Sequence, residues 1–413
     1  MRNLSIILLI SLTSFANAKS TDHPETLQKL FKMALENSPS LQISKANILD
    51  VQGQKEQSSS YQDWDVRFKS ELSYSAMKNS QFPRTANQLI GRYPLYQPDI
   101  DYLVQADEFE LKAMNFSFET ERQQLFYDIA INYFQYYAQH AEILFLEQER
   151  ISIQNILEQF NQRLQIGEQN ISRVAEMQAE LDVNQAELLA QLEKKWSLQI
   201  KIEKLVGKKV FIKPIIKVEN VLKINPSNII LEKQVEQHPK LLKLKMEEHS
   251  ASQKIAYQKH KEGVRLDAFV SAVYNDSDSN FYDDMQGVRA GLTLEIPLYI
   301  GDRTDANIMQ FRAKKQAKQA KYQQQKLILL SSARTSHLLY NASLARIVAI
   351  KASIQSYQQV IKAIERSISS GKQDSIDLLK AERLLNKAKK ELNLTKIKVW
   401  KNGYQFYWSI GKL

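Results

Sequence analysis

Polar and apolar positions alternate in a few short stretches of this chain and recur at three- and four-residue steps along most of the remainder. Val66, Phe68, Leu72, Tyr74 and Ala76 interleave with Asp65, Arg67, Lys69, Glu71, Ser73 and Ser75, which is the period-two pattern of a strand with one apolar and one polar face. Leu266, Ala268, Val270, Ala272 and Tyr274 oppose Asp267, Ser271 and Asn275 in the same way, with Phe269 and Val273 as exceptions. Val288, Ala290, Leu292, Leu294 and Ile296 then alternate with Arg289, Gly291, Thr293 and Glu295, whereas Gln88 to Tyr96 alternates only weakly. Two hairpins are predicted, with polar loops at Met77 to Thr85 and at Asn275 to Asp284.

The helical signal is longer than an ordinary globular domain uses. From Asp99 to Ile166, and again from Asp302 to Ser370, there is neither Gly nor Pro; a continuous helix of that size is on the order of 100 Å long and needs lateral partners. The following segments supply them. Leu378, Ala381, Leu385, Ala388, Leu392, Thr395 and Val399 form one seam, and Val174, Met177, Leu181, Asn184 and Leu188 form another, both at coiled-coil spacing.

These stretches come in two copies. Pro39 after Asn37-Ser38 returns as Pro239 after Gln237-His238, and Pro94-Leu95-Tyr96 returns as Pro297-Leu298-Tyr299. Gly167 returns as Gly371, and Leu205 to Lys208 as Ser409 to Lys412. Four landmarks in one order and one register indicate tandem duplication of a unit of helix, two strands, long helix and helix. The expected division is 1–18, 19–208 for the first repeat, 209–227 for a linker punctuated by Pro214 and Pro226, and 228–413 for the second repeat.

Residues 1–18 read as a secretory signal: Arg2, then an apolar run from Leu4 to Leu12, then Ala16-Asn17-Ala18. The run is shorter than the roughly 20 residues of a spanning helix, and nothing later approaches that length, so a helical membrane protein is excluded while a barrel is not. Without cysteine there are no disulfides, thiolate metal sites or lipidated cysteine. The formal charge of +10 is dispersed among acids along helical segments, including the Ala-, Gln- and Lys-rich run from Ala313 to Lys326, so nucleic acid is not an expected partner.

No constellation of a catalyst is visible. His249 and His260 share a helical face but stand about 16 Å apart by helical rise, too far to share a metal, and the glycines form no phosphate loop. No enzyme, metal site or cofactor is expected. Tyr404, Phe406, Tyr407 and Trp408 fit either a membrane belt or core packing, with packing favoured because belts are built from strand residues.

Four strands beside helices too long to fold over them leave open edges and an uncovered apolar face, both costly in water. A closed barrel takes about eight strands or more, so copies must pool theirs. Lipid then covers Val66, Phe68, Leu72, Tyr74, Leu266, Val270, Tyr274, Val288, Leu292, Leu294 and Ile296, and the charged face lines a water-filled lumen. The rival of another class is a soluble periplasmic coiled-coil scaffold or adaptor, which shares the export signal and the helices but needs no lipid-facing strands.

Asn37-Ser38-Pro39, Gln162 to Val174, Gly291 to Tyr299 and Arg366 to Ala381, in duplicated order, resemble the TolC family of outer-membrane efflux proteins over nearly the whole chain. The resemblance implies a mainly α fold with a small β part: coiled-coil hairpins forming an α-barrel across the periplasm, below a trimeric 12-stranded transmembrane β-barrel. It implies an exit duct of a tripartite efflux pump or type I secretion system, passive, joined through a periplasmic adaptor protein to an inner-membrane transporter.

In that family the turns between paired helices are the docking tips; here they match Ile166 to Ser172 and Ser370 to Ser375, with Gly167, Glu168, Gln169, Ser172, Gly371, Lys372 and Ser375 as the docking residues the resemblance implies. The entrance is narrowed by acids just after the second tip, where Asp377 matches the first such position and Asp374 is a further candidate. Lys380 replaces a second acid, and Gln373 replaces a basic residue that often restrains the closed gate.

Overall fold

The computed structural model describes residues 26–77, 80–212, 228–277, 285–299, 301–369 and 375–413. Residues 1–25, with the expected export signal, most of the expected linker, part of each hairpin loop and Gly371, Lys372, Gln373 and Asp374 lie outside the described residues. The first half runs α1 (Leu27–Asn37), α2 (Pro39–Ser60), β1 (Asp65–Met77), β2 (Ser80–Tyr96), α3 (Pro98–Gln165) and α4 (Ile171–Val206). The second repeats it as α5 (Asn228–Glu236), α6 (Pro239–His260), β3 (Arg265–Ser277), β4 (Met285–Glu295), α7 (Arg303–Ser369) and α8 (Ser375–Ser409).

The long helices follow the Gly- and Pro-free stretches, α3 with 68 residues and α7 with 67. Each starts where a Pro or Gly stands: Pro98 is the first residue of α3, where a missing N–H costs nothing, and Gly301, with φ +67°, precedes α7. On the coiled-coil seams Ala381, Leu385, Thr395 and Val399 are buried, as are Asn184 and Leu188. Asn184 donates from Nδ2 to the Leu146 carbonyl at 3.3 Å, a polar seam position of the kind that fixes register between helices.

One sequence expectation needs correction. β2 does not begin near Gln88 after a loop reaching Thr85; it spans Ser80–Tyr96, and Thr85 pairs with Leu72. Its weak alternation understates it because β2 is a central strand whose ladder bonds run to β1 on one side and β3 on the other. Its prolines fit those ladders: Pro83 lies beyond the β3 pairing, which starts at Arg84, and Pro94 sits at the register shift before Tyr96. Ile296, expected as the last residue of the following strand, falls just outside β4.

The sheet is antiparallel in the order β1-β2-β3-β4, so β1 and β4 are edges. Helices extend the same side-by-side order. Nearest the sheet α3 lies between α2 and α6, and farther away between α4 and α8, with α7 beyond α6 and α8. Two buried clusters stand at corresponding places where short helices strap the wall. Leu30 and Ala34 of α1 pack with Leu125, Ile129, Ile202 and Val206, and Phe31 stacks on Phe126 at 4.6 Å. Leu231 and Val235 of α5 pack with Leu241, Leu329, Phe406 and Ile410. Each buried Leu, Ile, Val or Phe side chain among them contributes about 1.5–3 kcal/mol by leaving water.

The C-terminal aromatics belong to these clusters. Phe406 is buried, Tyr404 meets Phe134 edge-on at 5.2 Å, and Trp408 stacks on Tyr127 at 5.2 Å.

Candidate membrane face, joints and entrance

Directly paired residues of an antiparallel sheet point to the same side, so the register decides whether the alternating strands make one continuous face. They do. Phe68 pairs with Leu89, which pairs with Ala272, which pairs with Val288. One row along, Val66, Gly91, Val270 and Ala290 align, and Ala268 pairs with Leu292 and Leu266 with Leu294. Leu72 is 80% exposed and Val288 77%; Val66, Phe68, Tyr74, Val270, Tyr274, Leu292, Leu294 and Ile296 are exposed as well, and Leu266 is half-buried. Ser70 and Asn87 interrupt this face midway, hydrogen-bonded to each other at 2.7 Å, and Thr85, Asp276 and Gln286 make it polar toward the hairpin-loop end, where they pair with Leu72, Thr85 and Tyr274.

The opposite face is polar and laced together. Arg67 pairs with Asp65 at 2.7 Å, Lys69 with Glu71 at 3.2 Å, and Gln88 donates to Ser271 at 3.1 Å. Phe269, an exception in the pattern, is accommodated there: its ring lies under the Arg289 guanidinium at 5.7 Å, and Gly291 opposite leaves the space it fills.

Far from the sheet, the α3–α4 turn is built on a positive-φ glycine. Gly167 (φ +77°) donates to Leu164 O, Glu168 donates to Arg163 O at 2.8 Å, and Asn170 Oδ1 caps α4 by accepting from Ser172 N–H at 3.0 Å. Glu168 and Gln169 thus form the turn, while Ser172 is already in the first turn of α4. Ile166 and Ile171, within the span expected for this tip, are exposed apolar side chains that flank the polar turn. At the other turn Ser375 opens α8, with Asp377 in its first turn and Lys380 exposed.

Between the turns and the buried clusters, α8 is fastened to the first hairpin by cations. Arg383 donates to Glu149 Oε1 of α3 through Nε and Nη2 at 3.2 and 3.1 Å, and its Nη1 lies 3.1 Å from Glu180 of α4. Lys390 pairs with Glu142 and lies over the Phe145 ring at 4.7 Å. No linear motif links these residues, because they meet from three helices.

Where the helices stack end to end, glycine again sets the geometry. Gly207 (φ +77°) closes α4 against the start of α2, and a Cβ there would lie 2.4 Å from Asn37 O. Gly411 (φ +69°) closes α8 against His238 and Pro239, with a Cβ 2.9 Å from Pro239 Cδ. His260 stacks instead on Tyr102, and His249 lies tilted against Phe109.

Among the described residues no helix is long and apolar enough to cross a membrane. A greasy, open-edged sheet standing on a wall of very long helices defines one stave of a membrane β-barrel continued as a helical tube, the subunit of an outer-membrane channel. Comparison with known proteins agrees: the family described as "Outer membrane efflux protein" matches residues 30–208 and 230–400, and the chain belongs to that family. It is 22% identical to the outer membrane protein TolC of Vibrio cholerae over 391 residues, 89% of this chain and 86% of that one. It is 27% identical to the proteases secretion protein PrtF of Dickeya chrysanthemi over 131 residues, 31% of this chain and 28% of that one. The solved structure of CusC superposes with a TM-score of 0.81 at 15% identity, covering 97% of this chain and 95% of that one. The protein is an outer-membrane exit duct with a large periplasmic helical portion, which sets aside the soluble scaffold.

Proposed function

We propose that three copies close into one conduit, with twelve strands in the membrane and a tube of helices below, through which cargo passes passively. The observation that carries this reading is the sheet, whose four strands end in two unpaired edges and present a continuous apolar face. Lipid covers that face, and sister copies cover the edges. The helices carry matching unpartnered surface: Val183, Trp196 and Ile200 on α4, and Leu338 and Val348 on α7, all exposed in the single chain. Because α3 already packs on α6 and α8 inside one chain, the duplicated α7 has an equivalent contact to make with α2 and α4 of a neighbour.

In this reading the α3–α4 turn at Gly167, Glu168, Gln169 and Ser172, with the matching turn at Gly371, Lys372 and Ser375, docks on a periplasmic adaptor. The adaptor connects the duct to an inner-membrane transporter, which supplies the energy. Asp377, with Asp374 and Gln373 beside it in sequence, forms the narrow entrance, and no catalytic step is involved.

The test is fractionation followed by single-channel recording. The protein should remain with outer membranes until detergent is added, run as a heat-sensitive trimer, and conduct ions in planar bilayers. A monomer released by osmotic shock would refute the assembly.

A further inference from the structure

The two end-to-end joints are related by the duplication but differ in one side chain. At the first, between α4 and α2, the residue before the helix-opening proline is Ser38, bonded to Ser40 at 3.2 Å. At the second, between α8 and α6, it is His238, which is 1% exposed. Both imidazole nitrogens are engaged. Nδ1 accepts from the Lys240 N–H at 3.0 Å and so caps α6, which leaves the proton on Nε2, and that nitrogen donates to the Trp408 carbonyl at 3.1 Å. One neutral ring therefore bridges the start of the upper helix and the end of the lower one.

We propose that this second joint is an acid-sensitive hinge: the neutral His238 ring bolts α8 to α6, and taking up a proton unbolts them, while the serine joint of the first repeat stays closed. A proton on Nδ1 would face the Lys240 N–H donor to donor, and it would place a cation at a helix N-terminus, where the helix dipole repels it. Among the described residues no acidic side chain compensates; the Trp408 carbonyl favours the charged ring, but burial outweighs it. From α6 the charge acting on it is Lys240, which adds to the penalty. Glu236 at the end of α5 is held by Lys326 of α7 at 2.6 Å. α3 contributes Gln123, bonded to Gly411 O at 3.0 Å, and Tyr127 stacked behind Trp408. α7 contributes His337, turned toward Phe406, and Lys412 follows α8.

Burial accordingly holds His238 down at about 4 against an ordinary 6.5. The open joint binds the proton more readily than the closed one, so closure is favoured above pH 6.5 and is lost as pH falls toward 4. Linkage between those two values gives a rise in the open fraction on the order of a hundredfold between pH 7 and pH 4.

Hydrogen exchange on the detergent-solubilised full-length protein, corrected for the intrinsic pH dependence of exchange, reads both joints at once. Peptides covering 239–246 and 404–413 should lose protection at pH 4 relative to pH 7, and those covering 202–212 should not. Equal loss at both joints, or none at 404–413, would overturn the proposal. In His238→Ser, which copies the first repeat, the pH dependence at 404–413 should vanish. His238→Gln, whose amide can accept and donate like the neutral ring, provides the same comparison if the serine variant does not assemble. Persistence of the full pH response in either variant would also overturn the proposal.

Discussion

Gly167 and Gly207 share one backbone conformation, φ +77°, but in different surroundings, which permits a quantitative test of the helix joints. Alanine at Gly167 meets nothing within 4 Å, so Gly167→Ala should cost only the left-handed strain of an L-residue, about 1–2 kcal/mol. Alanine at Gly207 carries the same strain and also drives its Cβ to 2.4 Å from Asn37 O and 3.0 Å from the same carbonyl carbon. These are backbone atoms, so no rotamer change relieves the clash; the start of α2 must move away by about 1 Å, in a region where interiors are close-packed. The side chains disturbed include Leu41, Ile202 and Val206, all at most 1% exposed, and overpacking of such a site costs about 1–3 kcal/mol more. Gly207→Ala should therefore be destabilised by roughly 2–5 kcal/mol. Equilibrium unfolding of the detergent-solubilised protein, followed by loss of helical circular dichroism, measures both variants. Equal destabilisation of the two would refute the close approach of α4 to α2.

Three further outcomes follow from the assembled reading. Leu292→Arg places a charge on the apolar sheet face and should cost about 2–4 kcal/mol if near the bilayer midplane, seen as lost membrane insertion; Arg289→Ser on the polar face should insert normally, and equal behaviour of the pair would argue against the assignment of faces. Arg383→Ala removes the cation shared by Glu149 and Glu180, partly exposed groups whose pairing contributes about 1 kcal/mol at most after screening. It should raise the open probability in planar bilayers most clearly at low salt, and an unchanged, salt-independent opening would count against the clamp. Asp377→Ala should increase conductance and weaken block by divalent cations; identical block in both proteins would remove Asp377 from the entrance.

Period-two alternation in β1, β3 and β4, and long stretches without Gly or Pro, made most of the architecture legible in the sequence, because local pattern and tertiary environment agree there. β2 was legible only in its second half. The stretch from Ser80 to Asn87 is a strand because of what pairs with it, and its own polar residues and Pro83 carry no strand period. The lower helices announced themselves through their seams, yet the Arg383 contacts to Glu149 and Glu180 did not, since ion pairs across three helices leave no trace in spacing. His238 entered the sequence reading only as the neighbour of a repeated proline. Its burial and its two hydrogen bonds arise from the return of a chain end 170 residues away, which no local window contains.

Duplication has one more consequence. In the proposed ring of three copies, the wall would comprise six staves of two alternating kinds, so any feature confined to one half of the chain would be displayed three times at 120° intervals. A binding protein that recognises a groove common to both kinds would count six sites around the rim, whereas one that distinguishes them would count three. In such a ring, two staves fused into a single polypeptide would let point mutation alter the stoichiometry of a visiting partner, with no change in the number of subunits.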